Sequence, residues 1–392
     1  MNTEKTNPNN NLWNISYLII VIINALSFIN FNMSTSGMPA FAASLGDSNL
    51  NVGLVTTVCA ISALLCRPFS GFFSDKFNSI VISTIGLLMM SVGPIIGIFS
   101  NNIFGIYILR CIQGIGWGMT STACAKLIVI CSPKQRVSEG IGYSGAISSI
   151  CAAVAPGLAI MILQNFGKIN LMLAIALPSL IAASLIPLYR NKKTPNENNS
   201  IRFRLNNCFE KKAILSASFV FIITLCYSPM ITFVSSYAEL LGINNSYWFF
   251  ICYAITTIVS RPFTGKLVDK HNPFLFGVIA FVFMILSELT LFFTNNLWWL
   301  LASGLFAGIG TGIGINTFQT MAVSSSTERK TGKAMATFLF GFDFGMALGS
   351  AIAGVISDRI GIKSMFLAFS FVSFFGIAGI TISILFKNHN RQ

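Results

Sequence analysis

Charge is what this sequence has least of. Lys, Arg, Asp and Glu make up 9% of its 392 residues, against about 25% in an average soluble domain, which excludes an ordinary water-soluble fold. Histidine occurs only at His271 and His389, both in polar stretches. With no histidine inside an apolar segment, the sequence offers neither a nucleophile–base pair nor a metal constellation. It is therefore expected not to be an enzyme and to need no cofactor or metal. The nine cysteines form no C-x-x-C pair and have no histidine at ligand spacing, which reads as free apolar thiols. No G-x-x-x-x-G-K-[ST] loop is present, so ATP is not the direct source of energy. No repeat of the kind that builds a selectivity filter stands out either, which argues against a channel.

What the sequence has in quantity is long apolar runs. A bilayer core about 30 Å thick needs about 20 apolar residues per helix, and Ile80 to Phe99, Phe274 to Phe293 and Met365 to Phe386 each suffice. Reading the interruptions as loops predicts twelve transmembrane helices, near 15–36, 50–73, 78–99, 103–130, 137–164, 169–189, 213–236, 245–266, 274–294, 297–322, 332–357 and 362–386. The first follows a polar, Asn-rich tail and lacks a cleavage site, so it reads as a retained helix. Lys134, Arg136, the stretch Arg190 to Lys212, Lys266, Lys270, Arg329 to Lys333, Lys387 and Arg391 fall on one side, and only Lys168, Arg359 and Lys363 on the other. The positive-inside rule then places both termini in the cytoplasm of a multi-pass protein of the cell (cytoplasmic) membrane. It also accounts for the net charge of +13 through short loops, with no basic domain to hold nucleic acid.

A self-match at an offset of 194 residues organises the whole chain. Arg67-Pro-Phe-Ser-Gly71 followed by Asp75-Lys76 recurs as Arg261-Pro-Phe-Thr-Gly265 followed by Asp269-Lys270. Gly114, Gly116 and Gly118 fall on Gly308, Gly310 and Gly312, and Gly167 falls on Gly361. Both copies of the Arg-Pro-Phe element lie at a cytoplasmic helix end, so the halves run parallel, related by an axis along the membrane normal. The expected organisation is an N-terminal tail (1–14), a six-helix bundle (15–189), a basic cytoplasmic linker (190–212), a second six-helix bundle (213–386) and a C-terminal tail (387–392). The fold class is all-α, polytopic and pseudo-symmetric.

These residues resemble the major facilitator superfamily. Its loop signature, roughly G-x-x-x-D-[RK]-x-G-[RK]-[RK], is matched by Gly71, Asp75 and Lys76 and again by Gly265, Asp269 and Lys270, and departs from it at Asn78, Ser79, Asn272 and Pro273. Arg110 with Gln113 and Gly114 resembles the R-x-x-Q-G element of proton-coupled members. Gly142, Pro156 and Gly157 resemble the antiporter motif of exporters, with Cys151 and Ala155 where that motif prefers glycine. The resemblance, nearest to the twelve-helix drug:proton antiporters of multidrug resistance, implies proton-coupled efflux of a small molecule, drug or metabolite, by alternating access. The expected partners are that substrate, protons and the lipid bilayer, with the protein acting as a monomer. An importer or uniporter of a sugar, amino acid or organic anion stays open, as does a transporter-like receptor without flux.

Asp75 and Asp269, with Arg67 and Arg261 nearby, sit where a contact can be made in one conformation and broken in the other, as a latch; the alternative is an ordinary tight-turn motif. Asp343 lies about ten residues into the eleventh expected span, where a charge costs about 2.5–3.5 kcal/mol on insertion scales. It is expected to face the central cavity and to exchange the coupled proton, unless it is permanently paired across a helix interface. Arg110 must be matched there by carboxylate, carbonyls or water and is assigned to coupling or anion binding. Glu239, Glu288 and Lys126 are expected at the interfaces. Asn24, Asn32, Gln113, Trp117, Tyr143, Tyr227, Asn316 and Gln319 are the candidate cavity residues, or else interhelical hydrogen-bonding groups. Gly341, Gly345 and Gly349 read as a packing face.

Overall fold

The computed structural model describes residues 12–76, 78–100, 102–133, 136–189, 210–268, 272–325 and 331–389. Its regular elements are all helical: α1 (Ile15–Ser44), α2 (Asn49–Lys76), α3 (Ser79–Phe99), α4 (Ile103–Cys131), α5 (Val137–Leu185), α6 (Ile214–Leu240), α7 (Tyr247–Val268), α8 (Pro273–Phe292), α9 (Leu297–Ser324) and α10 (Thr331–His389). Nine segments among the described residues are long and apolar enough to cross a membrane.

At 49 and 59 residues, α5 and α10 are each long enough for two crossings. Each contains one break in helical geometry, at Gly167 (φ 79°) and Gly361 (φ 85°). A residue with a Cβ is strained in that left-handed region, whereas glycine is not. Where the sequence suggests short loops after 164 and 357, the chain stays helical up to a single glycine. The two breaks lie at equivalent positions of the 194-residue repeat.

The repeat also places the helix starts. The Asn78 and Asn272 side chains accept from the backbone N–H groups of Ile80 (3.0 Å) and Phe274 (3.1 Å). The Asn102 and Asn296 side chains accept from Gly105 (2.8 Å) and Trp299 (3.2 Å). The departures from the loop signature at Asn78 and Asn272 are thus N-caps, chosen because the first turn of a helix has N–H groups without helical partners. Asn78→Ala or Asn272→Ala is expected to cost about 1 kcal/mol, read as a lowered thermal unfolding midpoint of the purified chain.

Helix pairing repeats as well. α1 packs on the first part of α5 as α6 packs on the first part of α10, and α4 bridges α2 and α3 as α9 bridges α7 and α8. Glycine allows these backbones to touch. A Cβ on Gly114 would lie 2.3 Å from the Cys59 carbonyl oxygen, and one on Gly308 would lie 2.4 Å from that of Tyr253. The Gly341, Gly345 and Gly349 face packs as expected, against the carbonyls of Ala217, Phe221 and Leu225 on α6. Contacts between the two sets of helices run through α2 with α10, α5 with α7 and α1 with α6.

Candidate functional site

The start of α1 meets the end of α4 and the start of α5, through Asn14 donating to the Cys131 carbonyl and Tyr17 to that of Gly140. This is the end of the molecule from which the chain starts. At the opposite, far end, the Asp358 carboxylate of α10 accepts from the backbone N–H groups of Asn49 (2.7 Å) and Leu50 (2.9 Å), capping α2 from another helix. An acid there also meets the positive end of the helix dipole. Gln164, the repeat equivalent of Asp358, donates to Ser246 just before α7 at 2.9 Å. Deeper in, Thr57 bonds the Ala347 carbonyl and the Ser350 hydroxyl, both at 2.9 Å, and Thr56 meets Thr232 at 3.2 Å. A Cβ on Gly53 would lie 2.3 Å from the Ser350 carbonyl. The far end is therefore sealed by backbone-to-backbone approach.

Of these cross-pairs the ion pair of Arg67 and Asp343 lies nearest the starting end. Arg67 Nε donates to Asp343 at 2.5 Å, and its Nη1 to the Ser121 hydroxyl at 3.3 Å. Asp343 is 5% exposed. Asp343 is paired across the α2–α10 interface, the alternative to a cavity-facing acid, and its partner is the arginine assigned from sequence to the latch. The side chains of Gly71, Asp75, Lys76 and Gly265 lie outside the described residues, as do Asp269 and Lys270 altogether.

Arg110 is fully buried and meets no carboxylate among the described residues. It donates to the Ser34 hydroxyl (2.7 Å), the Gln113 side-chain oxygen (2.9 Å) and the Val55 carbonyl (3.1 Å). Gln113 in turn donates to Asn30 at 2.9 Å. Ser34 and Asn30 were not recognisable as its partners, because nothing in one helix's sequence indicates which face of another it will meet. Arg110 and Asp343 do not pair, although Cys59 is within electrostatic reach of both.

Glu288 corrects the sequence reading most sharply. Expected at an interface, it is 0% exposed. Its Oε2 accepts from Ser373 at 2.9 Å, while Oε1 has no partner among the described residues. The signal was present: Gly277, Phe281, Met284, Glu288 and Leu291 are all buried and trace one helical stripe of α8. Glu239 is exposed, and Lys126 reaches the Ser74 carbonyl at 2.7 Å.

Four candidate cavity residues are buried: Asn24 bonds Ser144 and Ser148, Gln113 belongs to the Arg110 network, Trp117 stacks on Phe31, and Tyr227 accepts from Tyr253. Asn32, Asn316 and Gln319 are half-buried, and Asn316 donates to the Arg261 carbonyl at 3.4 Å. Tyr143 is 44% exposed and lies against Trp13 near the starting end. Of the antiporter-like residues, Gly142 faces open space, Pro156 accepts from Ser36, and Gly157 packs against Phe250 of α7.

Comparison with known proteins agrees with this architecture. The model of the Major Facilitator Superfamily matches residues 20–287 and 241–391. An uncharacterised MFS-type transporter of Methanocaldococcus jannaschii is 23% identical over 84% of this chain and 88% of its own length. The staphylopine export protein of Staphylococcus aureus is 24% identical over 84% of this chain and 86% of its own length. A bacterial homologue of the human lysosomal transporter Spinster, solved inward-facing and unoccupied, superimposes with a TM-score of 0.76 at 13% identity, covering 94% of this chain and 96% of that one. A match of the family model across nearly the whole chain, on an all-helical membrane fold, makes this protein a member of the major facilitator superfamily, a transporter and not an enzyme.

Proposed function

We propose that this chain exports a small molecule from the cytoplasm by proton-coupled alternating access. The observation that carries the reading is the Arg67–Asp343 pair. It is a titratable carboxylate used as a cross-contact between the two sets of helices, on the starting-end side of a far end already sealed by Asp358, Gly53 and Thr57. Protonating Asp343 removes the ion pair and leaves the far-end contacts intact, so the proton acts on the opening of one side alone. Two six-helix halves, 15–189 and 213–386, then rock about this interface, with twelve spans if α5 and α10 each cross twice at Gly167 and Gly361. Both termini are cytoplasmic in this reading, so the sealed far end faces outward.

Export is favoured over import by the staphylopine exporter's similarity over most of both chains and by the antiporter-like Gly142, Pro156 and Gly157. The test uses everted vesicles with an imposed pH gradient and a panel of lipophilic cations, metabolites and metal-chelating compounds. Substrate-dependent collapse of the gradient is the expected result; substrate movement indifferent to the gradient would refute coupling. In the same vesicles Glu288→Gln should keep gradient-driven transport within about twofold if Asp343 carries the coupled proton, and a loss of tenfold or more would transfer that role to Glu288.

A further inference from the structure

Three buried or half-buried arginines lie in the helices, and two of them are matched: Arg67 by Asp343 and Ser121, Arg110 by Ser34, Gln113 and Val55. Arg261 is not. It is the repeat equivalent of Arg67, but the equivalent of Asp343 is Ser149, and no described acid pairs with Arg261. Its buried Nε has no hydrogen-bond partner among the described residues. An uncompensated guanidinium in such surroundings is costly unless something of opposite charge visits it.

Beside it ends a chain of hydroxyls. Thr311 Oγ1, which donates to the Ala307 carbonyl at 2.8 Å, lies 3.4 Å from the Tyr253 hydroxyl, Tyr253 donates to Tyr227 at 2.8 Å, and the rings of Tyr227 and Tyr253 stack at 5.6 Å. Tyr227 is 7% exposed, and its own O–H has no acceptor among the described residues. Arg261 follows Tyr253 on α7 by eight residues, about two turns, and so shares its face of the helix. Two donors without acceptors among the described residues, one of them cationic, are thus carried by or packed on one face of α7.

We infer that Arg261 and Tyr227 bind an oxyanion, a carboxylate or phosphate group, carried by the transported molecule or by a lipid headgroup entering the same site. The repeat explains the geometry. In one half the arginine's counter-charge is built into the protein as Asp343, and in the other it is left for the ligand to supply. The stacked tyrosines suit an anion attached to a flat apolar body. This inference rests on the transport reading for its purpose, whereas binding of the anion is measurable without transport.

The experiment compares benzoate, benzamide and benzamidinium, which share a shape and differ in charge, as additives to the purified full chain in neutral detergent. The readout is the thermal unfolding midpoint across a concentration series. Benzoate is expected to raise it and the other two are not. Arg261→Gln should remove the benzoate response, Arg261→Lys should retain part of it, and Tyr227→Phe should weaken the apparent affinity about tenfold, as expected for a hydrogen bond to a charged group. If Arg261→Gln does not fold, the Lys and Phe variants carry the test. Equal responses to benzoate and benzamide, or a benzoate response unchanged in all the variants, would overturn the assignment. Phosphatidylglycerol that suppresses the benzoate response identifies a headgroup as the occupant, and a response unaffected by it identifies a soluble anion. Benzoate binding with no gradient-driven transport would sink the coupled-export reading alone.

Discussion

Asp343→Asn is expected to abolish transport driven by a pH gradient, a loss of at least tenfold, while substrate still binds. Asparagine keeps the shape of the side chain and can still accept from Arg67, but it can neither form the ion pair nor exchange a proton. The contact then no longer differs between the two protonation states, and a proton with no differential effect on the two conformations cannot drive their exchange. Asp343→Glu should retain part of the activity with a displaced pH optimum, because the carboxylate persists at a different reach. Arg67→Gln should be as inactive as Asp343→Asn and less stable, since breaking a buried pair from one side costs about 3–5 kcal/mol. The double variant should recover stability but not transport, because the two losses share one interaction. Gradient-driven uptake into everted vesicles between about pH 6 and 8 decides it, and full activity of Asp343→Asn would place the coupled proton elsewhere.

Gly53→Ala should have the second largest effect, on population and not on folding. Its new Cβ would meet the Ser350 carbonyl 2.3 Å away, and that contact exists only while the far end is closed. Overpacking of this kind costs about 1–3 kcal/mol, and 1.4 kcal/mol is about tenfold in an equilibrium. The far-end-open population should therefore rise about tenfold with little change in unfolding midpoint. Gly114→Ala makes the opposite case. Its Cβ would meet the Cys59 carbonyl at the same 2.3 Å, but in the proposed rocking of two halves α2 and α4 move as one bundle, so it should lower the midpoint and leave the populations alone. Spin labels on the exposed Leu45 and Ile360 positions, substituted by cysteine in a background lacking the native thiols, would report the far-end distance for both variants. An unchanged distance distribution in Gly53→Ala would mean that the seal is not the structural difference between the two states.

Much of the fold was legible because the 194-residue offset compares the sequence with itself. It gave Gly114 with Gly308 and Gly167 with Gly361 before their backbone roles were known. What it could not give was azimuth. In a lipid-facing helix every side is apolar, so depth is readable and the inward face is not. Glu288 was assigned from its depth to an interface and turned out to lie on the packed stripe of α8. Arg67 was read with its neighbours in sequence, when its partner lies 276 residues away. The caps Asn78 and Asn272 were read as departures from a family pattern, although an asparagine before an apolar run is a local signal that needs no family at all.

That separation of 276 residues between Arg67 and Asp343 also bears on how the protein is made. At about 5–20 residues per second of synthesis, Arg67 enters the membrane roughly 15–55 s before its acid is translated. During that interval the guanidinium has only Ser121 of its final partners available. α2 must therefore be sheltered by the insertion machinery, or lie shallow enough for the arginine to reach headgroups, until α10 arrives. The Arg67–Asp343 ion pair is thus a contact that can form only after α10 has been inserted.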